Sequence, residues 1–506
     1  MSLPSTSSLL RALLGFGVSW SGVEAGTFYR EADSYSTKRD PDPPRYVEPA
    51  SASAWSQLNG FQWLDVGLDY RFRYEYRDDD IRRARDGVDE PFLHRTRLYL
   101  GVREIVDPLR FAAELQDSHR YNGDYALDNR DVNELEFIRL YAELHFKDLL
   151  SADALGNSRP VALRFGNHNF EFLDRRLIGN NQWRNTANAF RGWHGIIGQE
   201  ANDWQVDLFS VQPLERLLYD PDRPAEGKRL WGAIGHWRAW SDVVTLEPFY
   251  LRLDERNVAD GGRVVHSPGL RAFGLFGKSG FDFDASGITQ FGHNGSKDIS
   301  AWAANAEIGY RFDDAWKSRL SLFYGAASGD RSPTDGEDNR FERFFGFGRP
   351  WSANDYVVFE NILAPKVRYE ATVSPTLRFD AGYSWYALQS ATDRFYNATN
   401  NRDQTGQSGN NVGHEFDVRI RWQMTRQAEV TLGYAHFVAG EWTRRQVRAD
   451  DTDFAYLELQ LKPFGFLRPC VRLLSSSRSA GSPPPWSCRF WAVPKRTRSA
   501  WVSFRT

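Results

Sequence analysis

The chain has 506 residues, of which 41% are hydrophobic and 15% aromatic, with a formal net charge of −3 and a mean hydropathy of −0.56. It has no apolar run of about 18 residues or more, so a helical membrane protein is excluded. A protein that crosses a membrane with strands is still allowed, because half of the residues in such strands are polar.

The N-terminus has the pattern of a secretory signal. Arg11 precedes an apolar stretch over residues 12–20, and small residues at positions 23 and 25 suit cleavage before Gly26. We predict a signal peptide over residues 1–25 and a periplasmic or plug segment over residues 26–60. A disordered N-terminal extension is the alternative.

The clearest strand covers residues 64–77, LDVGLDYRFRYEYR. Successive side chains of a strand point to opposite faces, so one face is wholly apolar, as at Phe72 and Tyr74. The other face is densely charged, as at Arg71 and Arg73. This pattern is typical of a transmembrane strand with lipid on one side and water on the other.

The same alternation recurs in residues 302–312, 377–386 and 415–424, with turn-rich segments between the strands. Weaker copies cover residues 98–102, 111–115, 161–165, 204–208, 249–253 and 320–324. We predict an all-β chain whose residues 61–462 form one large antiparallel transmembrane β-barrel with long extracellular loops. A soluble sandwich is the alternative, because any single strand of this kind would fit one.

Residues 463–506 differ from the rest of the chain. They contain seven Arg, one Lys and both cysteines, Cys470 and Cys488, but no acidic residue. We interpret them as an atypical basic tail outside the barrel, whose natural end lies near Lys462; a genuine basic extension is the alternative. The chain carries −3, the tail contributes +8 and residues 1–25 contribute zero, so residues 26–462 carry −11.

That negative total would repel anions unless the cations are concentrated where solutes pass. Strand phase places several arginines on the inner face, as candidates for a lumenal substrate path. They are Arg71, Arg73, Arg97, Arg139, Arg164, Arg378, Arg419 and Arg421. The competing interpretation is structural, since lumenal arginines also pair with acidic residues across strands.

No catalytic constellation, metal-ligand spacing or phosphate-binding loop stands out, so we predict no enzyme activity, cofactor or bound metal. The sequence likewise gives no reason to expect a nucleic-acid partner. An outer-membrane enzyme with a catalytic Ser or His at the barrel wall or rim is a further alternative.

Three motifs resemble those of the alginate-export family of bacterial outer-membrane β-barrels. The first, in residues 167–198, has Arg-Leu-Ile-Gly followed by Trp-Arg-Asn. The second is Gly-Ala-Ala-Ser-Gly-Asp over residues 325–330, and the third is Val-Gly-His-Glu-Phe-Asp over residues 412–417. Their candidate family residues are Arg176, Gly179, Trp183, Asn185, Asp330, His414, Glu415 and Asp417.

The resemblance implies a monomeric barrel of about 16 to 18 strands in the bacterial outer membrane. It implies passive export of an anionic, alginate-like polyuronate through an arginine-lined, anion-selective lumen, where guanidinium groups replace the water around each carboxylate. The implied partners are this polysaccharide, outer-membrane lipid, the barrel-assembly machinery and periplasmic polysaccharide-secretion proteins. A porin for the uptake of small organic solutes is the alternative.

Overall fold

The computed structural model describes residues 28–32, 34, 38–52, 56–257, 261–448 and 450–464; the predicted signal peptide and the tail from residue 465 lie outside the described residues. Eighteen long strands, which we number β1 to β18 in chain order, form its framework. Their bounds are β1 Leu64–Asp78, β2 Phe92–Val106, β3 Leu109–Tyr121, β4 Asn133–Leu150, β5 Arg159–His168, β6 Phe190–Ile197, β7 Trp204–Glu215, β8 Lys228–Trp237, β9 Val244–Glu255, β10 Arg263–Leu275, β11 Phe281–Asn294, β12 Lys297–Arg311, β13 Arg319–Ala327, β14 Ile362–Ser374, β15 Leu377–Ala387, β16 Asn411–Gln423, β17 Ala428–Ala439 and β18 Thr452–Leu461.

The remaining elements are short. Two- or three-residue strands cover Val47–Pro49, Val88–Asp89, Arg223–Pro224 and Glu337–Asp338. Single 3-10 turns cover Ala50–Ala52, Ser56–Leu58 and Gly277–Ser279, and one helix, α1, covers Glu441–Gln446. Among the described residues, none of the helices has the length and apolar character to cross a membrane.

The long strands form a closed antiparallel barrel. Each pairs with the next in sequence, and residues 454–461 of β18 pair with residues 70–77 of β1. A closed sheet leaves no edge of unpaired backbone groups in lipid, which is the condition for spanning a bilayer with strands. The predicted all-β barrel is therefore confirmed, with a strand number at the upper end of the expected range.

The alternation of side chains sorts them into two faces. On the outer face, Trp302, Ile308, Trp385 and Trp422 are more than two-fifths exposed, as lipid-facing residues are in a chain without its bilayer. The opposite face of β1 carries the buried charged residues of the 64–77 segment. Both faces therefore match the sequence prediction for these strands.

The two ends of the barrel differ in the length of their connections. At one end the turns are short, such as residues 107–108 and 375–376. At the other end lie long loops, such as residues 169–189, 328–361 and 388–410. Outer-membrane barrels have short periplasmic turns and longer extracellular loops, so this difference identifies the periplasmic and extracellular ends.

Two of the extracellular loops, residues 169–189 and 328–361, fold inward and build a hydrophobic core inside the barrel. Phe172 stacks on Phe209 of β7 with ring centroids 5.1 Å apart, and Trp351 contacts Phe323 of β13 at 5.5 Å. The inward-facing residues of β8 from Leu230 to Ile234 are correspondingly apolar. The interior of the middle strands thus departs from the predicted polar lumen, because it packs against these loops rather than water.

The described residues between 28 and 52 lie along the inner wall at the periplasmic end. The Phe28 N–H donates to the carbonyl of Ala201, 3.2 Å away, in a short periplasmic turn. Val47–Pro49 pairs with residues 65–67 of β1, beyond the last residue of β1 that β18 reaches. This N-terminal segment therefore runs from the β6–β7 turn to the seam where the barrel closes.

Candidate functional site

A basic chamber of about 850 Å³, open to solvent, lies inside the periplasmic end of the barrel. It is bounded by the N-terminal segment and by the periplasmic ends of β12 and β14 to β16. Its charged lining comprises the basic residues Lys38, Arg45, Arg175, Arg311, Lys317, Arg378, Arg419 and Arg421 and the acidic residues Asp40 and Glu370. This excess of cations gives the chamber a positive potential, which attracts anions.

Arg419 and Arg421, two of the predicted substrate-path residues, share one carboxylate. The nearest guanidinium nitrogens are 2.9 Å and 3.3 Å from Oδ2 of Asp380, which Arg368 also contacts. One carboxylate cannot neutralise three guanidinium groups, although Arg368 also binds Asp417 at 3.0 Å. Among these residues of the cluster, three guanidinium groups thus face the two carboxylates of Asp380 and Asp417.

Arg378 completes this group at the start of β15 and is exposed within the chamber. No carboxylate of the described chain lies within ion-pair distance of it. A guanidinium with no structural ion pair is available to a solute carboxylate, with which it can form two parallel hydrogen bonds.

Arg71, Arg73 and Arg97 instead hold the inward-folded loop to the wall. Arg71 donates to the carbonyl oxygens of Gln182 and Arg184 at 2.9 and 2.7 Å, and Arg97 donates to the side chain of Gln182. All three arginines are 2% exposed or less. In this conformation the hydrogen bonds of Arg71 and Arg97 to residues 182–184 hold the loop in place.

Arg139 and Arg164 lie on the neighbouring strands β4 and β5. Arg139 pairs with Glu114 and Arg164 with Glu143, and both contact Asp42 of the N-terminal segment. The predicted substrate-path arginines therefore fall into three groups: one lining the chamber, one binding the loop and one binding the N-terminal segment.

The family residues of the first motif organise the inward-folded loop. Trp183 lies between two guanidinium groups, with Arg73 3.8 Å and Arg349 3.7 Å from its ring centroid. Arg176 pairs with Asp174 at 2.8 Å. The cation–π contacts tie residues 169–189 both to β1 and to the second loop, and the Arg176–Asp174 ion pair lies within the first loop.

Gly179 and Asn185 act at close backbone approaches in the same loop. A Cβ atom at Gly179 would lie 2.9 Å from the Cβ atom of Phe347, so the two loops meet only because this residue is glycine. Asn185 donates to the carbonyl oxygens of His94, His119 and Asp131 at 2.8 to 3.1 Å. The loop is thereby joined to the ends of β2, β3 and the loop before β4.

The other family residues are distributed more widely. Glu415 and Asp417 face inward on β16, whereas His414 lies on the opposite face and stacks on Tyr383 at 5.6 Å. Asp330 is buried among the extracellular loops, where Arg402 lies 3.9 Å away. The structure therefore does not bring these four residues together as one site.

A second basic group, which the sequence analysis missed, lies among the extracellular loops. Arg82 and Arg184 contact Asp355 at 2.5 and 2.9 Å, and Arg130 lines the same narrow cavity. Burial alone would raise the pKa of Asp355, but the guanidiniums of Arg184 and Arg82 lower it to about 2. Burial, Arg184 and Arg130 lower the pKa of Arg82, as expected where cations exceed anions.

Glu415 is the main polar anchor of the second inward-folded loop. It accepts hydrogen bonds from the Ser352 hydroxyl and the Ala353 N–H, both at 2.6 Å, and it is fully buried. We predict that Glu415→Gln, which replaces one acceptor oxygen by a donor, lowers the free energy of unfolding by about 2 kcal/mol. Urea titration of the refolded protein in detergent measures this.

The matched control is Glu441→Gln on helix α1, whose carboxylate makes an exposed ion pair with Arg445 at 2.7 Å. Exposed pairs contribute about 0 to 1 kcal/mol, so this variant should unfold with the parent protein. Equal unfolding free energies for both variants would show that Glu415 does not anchor the loop.

The closed barrel, its apolar outer belt and its uneven ends define an outer-membrane protein of the porin type, located in the bacterial outer membrane. The sequence matches the profile of the alginate export family over residues 62–456, which is most of the chain. The protein belongs to the alginate export family. None of the curated proteins matches it significantly.

Solved structures of Pseudomonas aeruginosa outer-membrane proteins share the fold. OpdK with vanillate is 13% identical, with a TM-score of 0.54, covering 79% of this chain and 98% of its own. OpdQ is 14% identical, with a TM-score of 0.53 and coverages of 78% and 97%. OccK2 (OpdF) in complex with glucuronate is 12% identical, with a TM-score of 0.52 and coverages of 78% and 97%. Family and fold together indicate a channel rather than an enzyme.

Proposed function

We propose that this channel is anion-selective and lets an alginate-like polyuronate leave the cell passively, entering from the periplasm through the basic chamber. The observation that carries the proposal is the group of three cations, Arg378, Arg419 and Arg421, that lines the chamber at the periplasmic end. A uronic-acid polymer carries one carboxylate per sugar, so each unit that enters can exchange its hydration water for guanidinium donors.

Several weak sites along a path favour sliding over capture, because a chain bound tightly at one point cannot advance. The chamber at the periplasmic end and the basic group around Arg82, Arg130 and Arg184 at the extracellular end would provide two such sites. The arginines that now bind the loop and the N-terminal segment would join this path when those segments move.

The remaining parts of the proposal follow from an exporter of this type. We propose cleavage of residues 1–25 as a signal peptide, insertion by the barrel-assembly machinery and delivery of the polymer by periplasmic polysaccharide-secretion proteins. We also propose that the channel works as a monomer, since a single chain closes the barrel.

A porin for small organic acids is the second candidate. It is favoured by two of the structural neighbours, which were solved with glucuronate and with vanillate, both small carboxylates. Those proteins share only the fold with this chain, so their ligands do not decide whether this channel carries a polysaccharide or a small organic acid.

The test is the current through the full chain in a planar bilayer. The export proposal predicts anion-selective current that oligouronates block more strongly as their length increases, because longer chains occupy several sites at once. Neutral oligosaccharides of equal length are the control. If glucuronate blocks the current and longer oligouronates block it no more strongly, the small-solute porin is favoured. A cation-selective current that is insensitive to uronates contradicts both candidates.

A further inference from the structure

The N-terminal segment places an acidic residue in the wall of the periplasmic half of the barrel. Asp42 contacts Arg164 of β5, and its Oδ1 atom lies 3.6 Å from Nε of Arg139 of β4. Burial alone would raise the pKa of Asp42, but Arg164 and Arg139 lower it to about 2. The side chain is therefore an anion at neutral pH, held by two guanidinium groups that belong to the barrel.

The charges of this wall leave an excess of cations that such an anion offsets. Glu114 and Glu143 are the wall carboxylates at this point, and the guanidiniums of Arg97 and Arg110 approach them to 4.0 and 3.8 Å. Four guanidinium groups thus face two wall carboxylates. Asp42 reduces the remaining positive charge, as would any other carboxylate of similar size.

A uronate carboxylate has the same charge and the same acceptor geometry as the Asp42 side chain. We propose that Arg139 and Arg164 form a carboxylate-binding site for an acidic saccharide, and that Asp42 occupies this site as an internal competitor until the saccharide displaces it. The inference rests on the proposed function, because it names a binding site on that same path.

Two features make the competition reversible. The Asp42 side chain is 34% exposed, so solvent and solutes can reach the ion pairs that hold it. Beyond Asp42, the backbone pairing of Val47–Pro49 with β1 keeps the segment attached to the wall. Displacement can therefore loosen the residues next to Asp42 without loss of the segment from the barrel.

The experiment measures block of the full-chain channel by an oligouronate in a planar bilayer. We expect Asp42→Asn to lower the concentration for half-block by about tenfold, because the internal competitor is gone. Glu104→Gln is the matched control, since it removes one carboxylate at the same end of the barrel but outside both the chamber and the proposed site, where its exposed side chain pairs with Arg103 at 3.2 Å. Oligouronate should block this control at the same concentration as it blocks the parent channel. Adding Arg164→Ser to Asp42→Asn should abolish the gain in sensitivity to oligouronate.

A second measurement follows the segment itself. Trypsin cleavage after Arg39 should become several-fold faster when oligouronate is added to the parent channel, and a neutral oligosaccharide should have no effect. If oligouronate blocks parent and Asp42→Asn equally and leaves cleavage unchanged, the competition is overturned while the proposed function stands. If oligouronate blocks neither protein, the proposed function fails, and the saccharide site fails with it.

Discussion

Replacing Arg378, Arg419 and Arg421 together by serine should lower the ratio of anion to cation permeability by about three- to tenfold. The triple variant removes three of the eight cations that line the chamber and leaves Asp380 with Arg368 alone. The charged lining then falls from eight cations and two carboxylates to five cations and two carboxylates, so the potential that attracts anions weakens. The shift in reversal potential across a salt gradient measures the ratio, at low ionic strength so that screening stays weak.

Two further variants test whether position or total charge causes this loss. Arg256→Ser with Arg426→Ser removes two exposed cations from turns outside the chamber and should leave the ratio almost unchanged. Asp380→Asn should raise it, because it removes the carboxylate that three arginines share. If the triple and control variants shift the ratio equally, the chamber does not determine selectivity.

The strands could be predicted because their signal is local. In residues 64–77 successive side chains point to opposite faces of the strand. The apolar face must contact lipid, so the charged face points into the barrel. The same holds for Trp302 and Trp422, which point outward as their phase requires. These assignments need no knowledge of distant residues, so a single sequence is sufficient.

The packing inside the barrel could not be predicted, because the residues that contact each other there are distant in sequence. Arg71 donates to a loop more than one hundred residues away, and no feature near Arg71 indicates this. A signal was present in Leu230 and Ile234, inward-facing apolar residues on a strand whose outer face carries Trp231. A strand that is apolar on both faces indicates packing on both sides, which here comes from the loops.

The arginine clusters show the same division between local and distant information. Strand alternation puts Arg419 and Arg421 on one face with Glu415 and Asp417, which are the nearest acidic residues in the sequence. The structure instead centres the arginines on Asp380 of the neighbouring strand. Register between strands decides such pairs, and register is not encoded in either strand alone.

A large loss of stability should result from Asn185→Ala. The Asn185 amide is 1% exposed, donates to three backbone carbonyl oxygens and accepts a hydrogen bond from Arg71 at 3.2 Å. Truncation leaves these groups buried without their partner, at a cost of about 3 kcal/mol in the free energy of unfolding. Urea titration in detergent, followed by circular dichroism and by the gel mobility of the folded barrel, measures the loss.

Asn185→Asp should be worse than alanine, because its second carboxylate oxygen faces three carbonyl oxygens where the amide donated hydrogen bonds. Asn129→Ala is the control: its exposed amide donates a single bond of 3.2 Å to the Arg216 carbonyl, so its loss should change stability by less than about 0.5 kcal/mol. If the loss of unfolding free energy is largest for Asn185→Asp, smaller for Asn185→Ala and smallest for Asn129→Ala, the Asn185 amide is the group that fixes the loop inside the barrel. Equal stabilities would instead show that the hydrophobic core of the two loops holds them without it.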